Sequence, residues 1–324
     1  MNEEYLWERR GEPDPEIVNL EELPAPLSYR PRPPIEIRRR SRPVKAWALA
    51  AAAVAIAAGC LWLAASRRPS HAAEPAWLIA SSEGAPRVDS GAPVSNRLYP
   101  GQVIETDAHS RATIRSQFVG ELTLAPKSRL SIEAATSERQ VLALQHGSIH
   151  ALIWAPPARF VVDTPSARAT DLGCVYTLNV DPDGNGLLTV EAGWVALHSQ
   201  GRESFIPEGA ACQTARTHGL GVPYFLDATP ECRSALASLG KGNALDIVLA
   251  QARPKDALSL WHLLSRVPRE ERGRVFDRFA SLVHLPPVVR REGVIEGNRA
   301  MLDQAWDALD LGNTGWWRHW RRDW

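Results

Sequence analysis

Residue patterns that carry chemistry are scarce in this sequence. It contains no GxSxG elbow, no HExxH, no phosphate-binding GxxxxGKS/T and no dinucleotide glycine fingerprint, so hydrolase, zinc-protease and nucleotide-binding readings have no motif to rest on. Only four cysteines occur, Cys60, Cys174, Cys212 and Cys232, and no two are spaced CxxC, so neither a zinc ribbon nor a thioredoxin-like site is indicated. The last three permit one disulfide and a leftover thiol, or none at all. Cys174 could be imagined as a nucleophile, but no third group stands ready to orient a base beside it, and it reads as a small core residue. His146, His150 and His198 read as strand decoration rather than metal ligands. Formal net charge is zero and basic residues cluster only in two places, so nucleic-acid binding gains no support. The expectation is a protein with no catalytic residues, no metal and no cofactor.

One near miss is instructive. Asp181-Pro182-Asp183-Gly184-Asn185-Gly186 reproduces the first six positions of a calcium loop, but position twelve is Ala192, and Glu191 falls one residue short. The segment then runs into LLTVEAGWVAL, a strand pattern instead of the helix such a loop requires. Asp, Asn and Gly in this place predict a hairpin turn.

The longest uncharged run stands near the N-terminus. Ala46 to Ser66 carries no charge over 21 residues, about 30 Å of helix, which matches the apolar thickness of a bilayer. Eleven of these residues are alanine, which favours helix but partitions weakly into lipid, so a buried soluble helix competes with a span. A cleaved signal peptide fits less well, because the run is long and starts after 45 residues. The Ala57-Ala58-Gly59-Cys60 stretch resembles a lipoprotein box only faintly, since apolar residues continue past the cysteine. Trp47 and Trp62 stand near the two ends, where interfacial aromatics gather. Seven bases against Glu36 in residues 29 to 45 predict an inward N-terminus. The chain is therefore expected to cross a membrane once, with residues 1–45 in the cytosol and its C-terminal part exported.

The zero net charge hides an uneven distribution. Residues 1 to 28 hold eight acids against Arg9 and Arg10. Asp14 as a cap, Pro15 at the first helical position and Glu16 predict a short helix to about Leu23. Ile17, Leu20 and Leu23 form one apolar stripe on it, with Tyr5, Leu6 and Trp7 nearby. About nine residues are too few for a helix stable by itself in water, so this arm is expected to fold on a cytosolic partner, the alternative being a merely solvated acidic tail. RPRPPIEIRRRSRP reads as a stiff spacer.

Five segments follow from these patterns: residues 1–45, the acidic arm and basic spacer; 46–66, the span; 67–95, a linker and first strand; 96–226, an all-β domain; 227–324, a helical module. Period-two runs such as ELTL, RLSI, VYTLNV and LLTV, separated by turn residues about every ten positions, predict the β domain and leave sandwich, barrel and solenoid open. After Asp227 apolar residues fall three or four apart, with Pro230, Pro254 and Pro268 near helix starts and Gly240 and Gly242 near stops. The C-terminus holds Trp306, Trp316, Trp317, Trp320 and Trp324, interleaved with arginine. Such a tail folds back as a cap on its own helices or lies on a membrane or partner, the former being the commoner use of so much aromatic area.

Five patterns in the β segment stand in a recognisable order: LYPGQVIETDAHSRATI around Gly101, LALQHGSIHAL around Gly147, FVVDTPSARATDLGCVYTLNV through Thr164, Pro165 and Gly173, LTVEAGWVAL around Gly193, and FIPEGAACQT around Gly209. In that order they resemble the periplasmic domain of the FecR family of transmembrane regulators, with Cys174 where the family usually has threonine. The resemblance implies a solenoid- or sandwich-like FecR-like β domain behind a single transmembrane helix. It also implies a regulator of anti-sigma type, in which the outer domain receives an envelope signal and the arm holds a cytosolic extracytoplasmic-function sigma factor. Tyr5, Leu6, Trp7, Ile17, Leu20 and Leu23 are the candidate contacts to that partner. The competing reading is an envelope-structural or glycan-binding protein with an inert tail.

Overall fold

In the computed structural model, residues 77–89 and 96–311 are described. The arm, the spacer, the uncharged run at 46–66 and the last four tryptophans lie outside them. Among the described residues no helix is long and apolar enough to cross a membrane.

The chain opens with strands β1 (Trp77–Glu83), β2 (Arg87–Asp89), β3 (Arg97–Leu98), β4 (Val103–Glu105), β5 (Arg111–Ser116), β6 (Gly120–Leu124) and β7 (Arg129–Ala135). Three long strands follow, β8 (Gln140–Ile153), β10 (Arg168–Val180) and β11 (Gly186–Ser199), with the short β9 (Phe160–Asp163) between the first two. Strands β12 (Arg202–Pro207), β13 (Ala210–Ala215), β14 (Gly219–Leu220) and β15 (Tyr224–Phe225) complete one hydrogen-bonded sheet. The sheet therefore begins at Trp77, well before residue 96. Alternation works as the sequence predicts: in β5, Ala112 and Ile114 are buried while Arg111 and Arg115 face solvent.

The long strands serve two sets of neighbours. In β8, residues from Gln140 to His146 pair with β7, while those from Ile149 to Ile153 pair with β6. Its second half also pairs with β10, and its first four residues pair in parallel with β9. Sharing strands in this way folds the sheet over itself, so that Trp77 on β1 meets Phe160 on β9 at 5.8 Å between ring centroids although their strands are not paired. The indole of Trp77 donates to Gln140 Oε1 at 3.1 Å, which satisfies its polar atom inside the core.

The helices are α1 (Pro230–Ala237), α2 (Ala244–Gln251), α3 (Ala257–Leu264), α4 (Arg269–Leu282), α5 (Arg291–Ile295) and α6 (Arg299–Asp307), with a 3-10 turn at Pro254–Asp256. Thr229 caps α1 by accepting from the Cys232 amide at 3.1 Å, and Pro230 takes the first helical position. The turn before α3 is tied to the end of the sheet: Arg253 binds Asp256 and Asp227, and Lys255 binds Asp227 at 3.1 Å over the ring of Phe225. The module shares the core of the sheet. Trp306 is fully buried, 4.7 Å from Trp261 and 5.9 Å from Trp194 of β11 between centroids, so this tryptophan packs inward.

Candidate functional site

The candidate partner contacts Tyr5, Leu6, Trp7, Ile17, Leu20 and Leu23 lie outside the described residues. The glycines and the Thr-Pro pair all lie within them, at the places where strands turn or cross. Gly101, at φ +86°, follows Pro100 in a turn closed by the Gln102 amide donating to Tyr99 carbonyl at 3.0 Å, an arrangement that calls for glycine at its third position. Thr164 and Pro165 make the corner from β9 to β10, where Thr164 Oγ1 accepts from the Ala167 amide at 2.9 Å and donates back to its carbonyl at 2.8 Å. Gly209 turns β12 into β13.

Gly147, Gly173 and Gly193 have a different task. They lie inside β8, β10 and β11, all with positive φ, where those strands change neighbours. A side chain at Gly147 would stand 2.3 Å from Ser128 Cα, and one at Gly193 would stand 2.0 Å from the Gly173 carbonyl oxygen. At Gly173 there is open space, and the backbone conformation alone favours glycine. The β10–β11 pairing slips here, between Asp171 and Cys174.

That slip turns Asp171 inward. Its side chain is buried, accepts from the Gly173 amide at 2.7 Å and accepts from the Cys174 thiol. Burial pushes its carboxyl up to about 7, against the lowering effect of those two bonds. Burial likewise pushes the Cys174 thiol up, with the neighbouring Asp171 charge adding to it, and holds the Tyr176 phenol well above its ordinary range. Tyr176 Oη has no hydrogen-bond partner among the described residues. Cys174, Cys212 and Cys232 are free and buried, and burial pushes the Cys212 thiol up to about 12. Thiols so raised make poor nucleophiles. Alternation along β10 does not reveal Asp171, because the bulge breaks the period at that point.

The Asp181 loop is a hairpin turn between β10 and β11. Asp181 Oδ1 accepts from the Asn185 amide at 2.8 Å and Oδ2 from its side-chain amide at 3.0 Å, so both oxygens are occupied within the turn. Those bonds hold its carboxyl below the usual range. No group of three or more His, Cys, Asp or Glu among the described residues could hold a metal ion.

A concavity of about 1280 Å³ is lined by the β13–β14 edge and by residues of the helical module. Leu236, Leu245 and Val267 give it an apolar wall, and Asn179, Gln213 and Tyr224 a polar one. Arg266, just beyond α3, joins the two. Its guanidinium donates to the Gly221 carbonyl, to the Leu220 carbonyl at 3.5 Å, to the Glu203 carbonyl at 3.3 Å and to Ser204 Oγ. All four acceptors are neutral, and no carboxylate among the described residues forms an ion pair with it. Burial pulls its pKa down to about 10, which leaves it charged at neutral pH, and Arg202 adds a second positive charge to the lining. The lining also carries Lys241, Asp181 and Glu271, so the cleft offers apolar surface with charges of both signs. In the sequence Arg266 is one basic residue after a helix; its partners lie about 45 to 63 positions away in the chain.

Residues 102–196 match the model of the FecR family, described as FecR protein. The matched segment runs from the end of the Gly101 turn to Ala196 in β11. No curated protein matches the chain. Two solved structures are similar to it, both of a candidate anti-sigma factor from Parabacteroides distasonis. At 1.65 Å resolution the first is 14% identical with a TM-score of 0.35, over 42% of this chain and 65% of that one. The second, at 2.50 Å, gives the same identity and TM-score over 46% of this chain and 73% of that one. This chain thus spans slightly less than two thirds of the first structure's length, and a likeness of this degree establishes no common function.

Proposed function

We propose that this chain, with its FecR domain, is a single-span inner-membrane regulator that conveys an envelope signal to a cytosolic sigma factor of the extracytoplasmic-function class. The observation that carries the reading is the order of its parts: an acidic arm with an apolar stripe, an uncharged run of membrane length, then the FecR domain at 102–196. An arm that folds only on binding suits a partner with basic and partly apolar surfaces, and the proline-stiffened basic spacer would hold it close to the membrane. The periplasmic end of the device is the cleft between the sheet edge and the helices. A ligand or protein segment seated there would touch both modules at once, so its binding energy would depend on how they sit together.

The test uses the arm itself. A peptide of residues 1 to 44 is expected to capture a sigma factor from cytosolic extract, and the same peptide with Leu20→Asp, which places a charge in the stripe, is expected to lose it. Capture of no sigma factor would remove the regulatory reading and leave the envelope-binding one.

A further inference from the structure

Six large hydrophobic side chains are exposed among the described residues, and four of them gather at one end of the sheet: Leu78, Phe118, Leu152 and Trp154. The pairing register places them. Leu78 stands opposite Arg115, Arg115 opposite Glu121 and Glu121 opposite Leu152. Directly opposed residues project to the same side, so Leu78 and Leu152 share the solvent face, with the Arg115–Glu121 ion pair between them. Two residues beyond Leu152, the Trp154 amide donates to the Val119 carbonyl at 2.9 Å and its indole Nε1 to the Gln117 carbonyl at 3.2 Å. Those carbonyls belong to the β5–β6 turn, whose tip is Phe118. Both aromatic rings are about half exposed, at 53% for Phe118 and 51% for Trp154.

The chain comes into the domain at this same end. Strand β1 starts at Trp77, so Leu78 is its second residue, and it runs antiparallel to β5, whose far end leads into the Phe118 turn. Ten residues, 67 to 76, separate β1 from the uncharged run, a tether of at most about 36 Å. Such a tether holds the apolar end at high effective concentration beside whatever surface the run is embedded in. An indole with a polar N–H and an adjacent phenyl ring are side chains that settle at the boundary between headgroups and acyl chains.

We propose that this end of the β domain, presenting Phe118 and Trp154 with Leu152 and Leu78 behind them, rests on the lipid surface of the membrane that anchors the chain. The inference rests on the single-span reading above.

The experiment uses the full chain reconstituted in vesicles of phosphatidylethanolamine and phosphatidylglycerol carrying a photoactivatable acyl chain, with adducts mapped by mass spectrometry. Adducts are expected in residues 46–66 and, several-fold above the peptides bearing the other two exposed hydrophobics, Leu226 and Val288, in those bearing Phe118 and Trp154. The double variant Phe118→Ser, Trp154→Ser should lose the latter adducts and keep those of the span, with an unchanged thermal midpoint. Adducts in the span without enrichment at Phe118 and Trp154 would overturn the proposal alone. No adducts in 46–66 would overturn the single-span reading and this inference with it.

Discussion

A carboxyl enclosed beneath a strand slip, at Asp171, makes the stability of the β domain respond to pH. Its ordinary value is near 3.8 and burial raises it to about 7 in the folded chain. Between those two values the folded state holds a proton that the unfolded state has released. Stability therefore falls as pH rises from about 4 to 7 and levels off above that range. The Asp171→Asn variant keeps an acceptor for the Gly173 amide but has no proton to lose. The difference in urea midpoint between the two proteins should change steadily across this window in favour of the variant, and be constant above pH 8. A difference that does not vary with pH would show that Asp171 folds already ionised.

At the scale of elements, the glycines in the ordered patterns separate into two classes that look alike in the sequence. Gly101 sits in an open turn where only its backbone angle matters, so Gly101→Ala should cost about 1–2 kcal/mol of unfolding free energy. Gly147 adds to its positive φ a contact with Ser128 Cα too close for any side chain, and β8 must separate from β7 to admit one. Gly147→Ala should cost more than about 4 kcal/mol, the range of mutations that break packing at a crossing. Chemical denaturation of the two variants side by side checks the order, and equal losses would show that the crossing can relax. The turn signal at Asp181–Gly184 was legible because it acts within a few residues. The crossing role of Gly147 was not, since Ser128 is distant in sequence and reaches it only through the β7–β8 pairing.

For the whole molecule, the joint between sheet and helices depends heavily on one side chain. Arg266 supplies donors to the carbonyls of Leu220, Gly221 and Glu203, and in Arg266→Met those carbonyls lose their partner at a cost of about 1–3 kcal/mol for each that stays buried. The helical module should then loosen while the β sheet remains folded. Limited proteolysis is expected to nick the connection around Leu226 and Asp227 faster in the variant, and an unchanged rate would mean that Trp306 and its aromatic neighbours hold the joint without help.

What the amino-acid sequence determined by itself is everything set by short-range physics: β-rich then helical character, through the change of apolar period near residue 227; the hairpin turn at Asp181; the helix starts at Pro230 and Pro254. The ordered glycines were also readable, because a backbone that needs positive φ or close approach leaves the same residue type in the same order. Tertiary structure alone decided that the long strands change neighbours at Gly147, Gly173 and Gly193, that Asp171 turns inward, that Arg266 faces neutral oxygens from a strand edge, and that Trp154 is bonded to the Phe118 turn at the end where β1 begins. Each of these depends on pairings between residues far apart along the chain. Such pairings follow from how the whole sheet closes, and no local pattern encodes them.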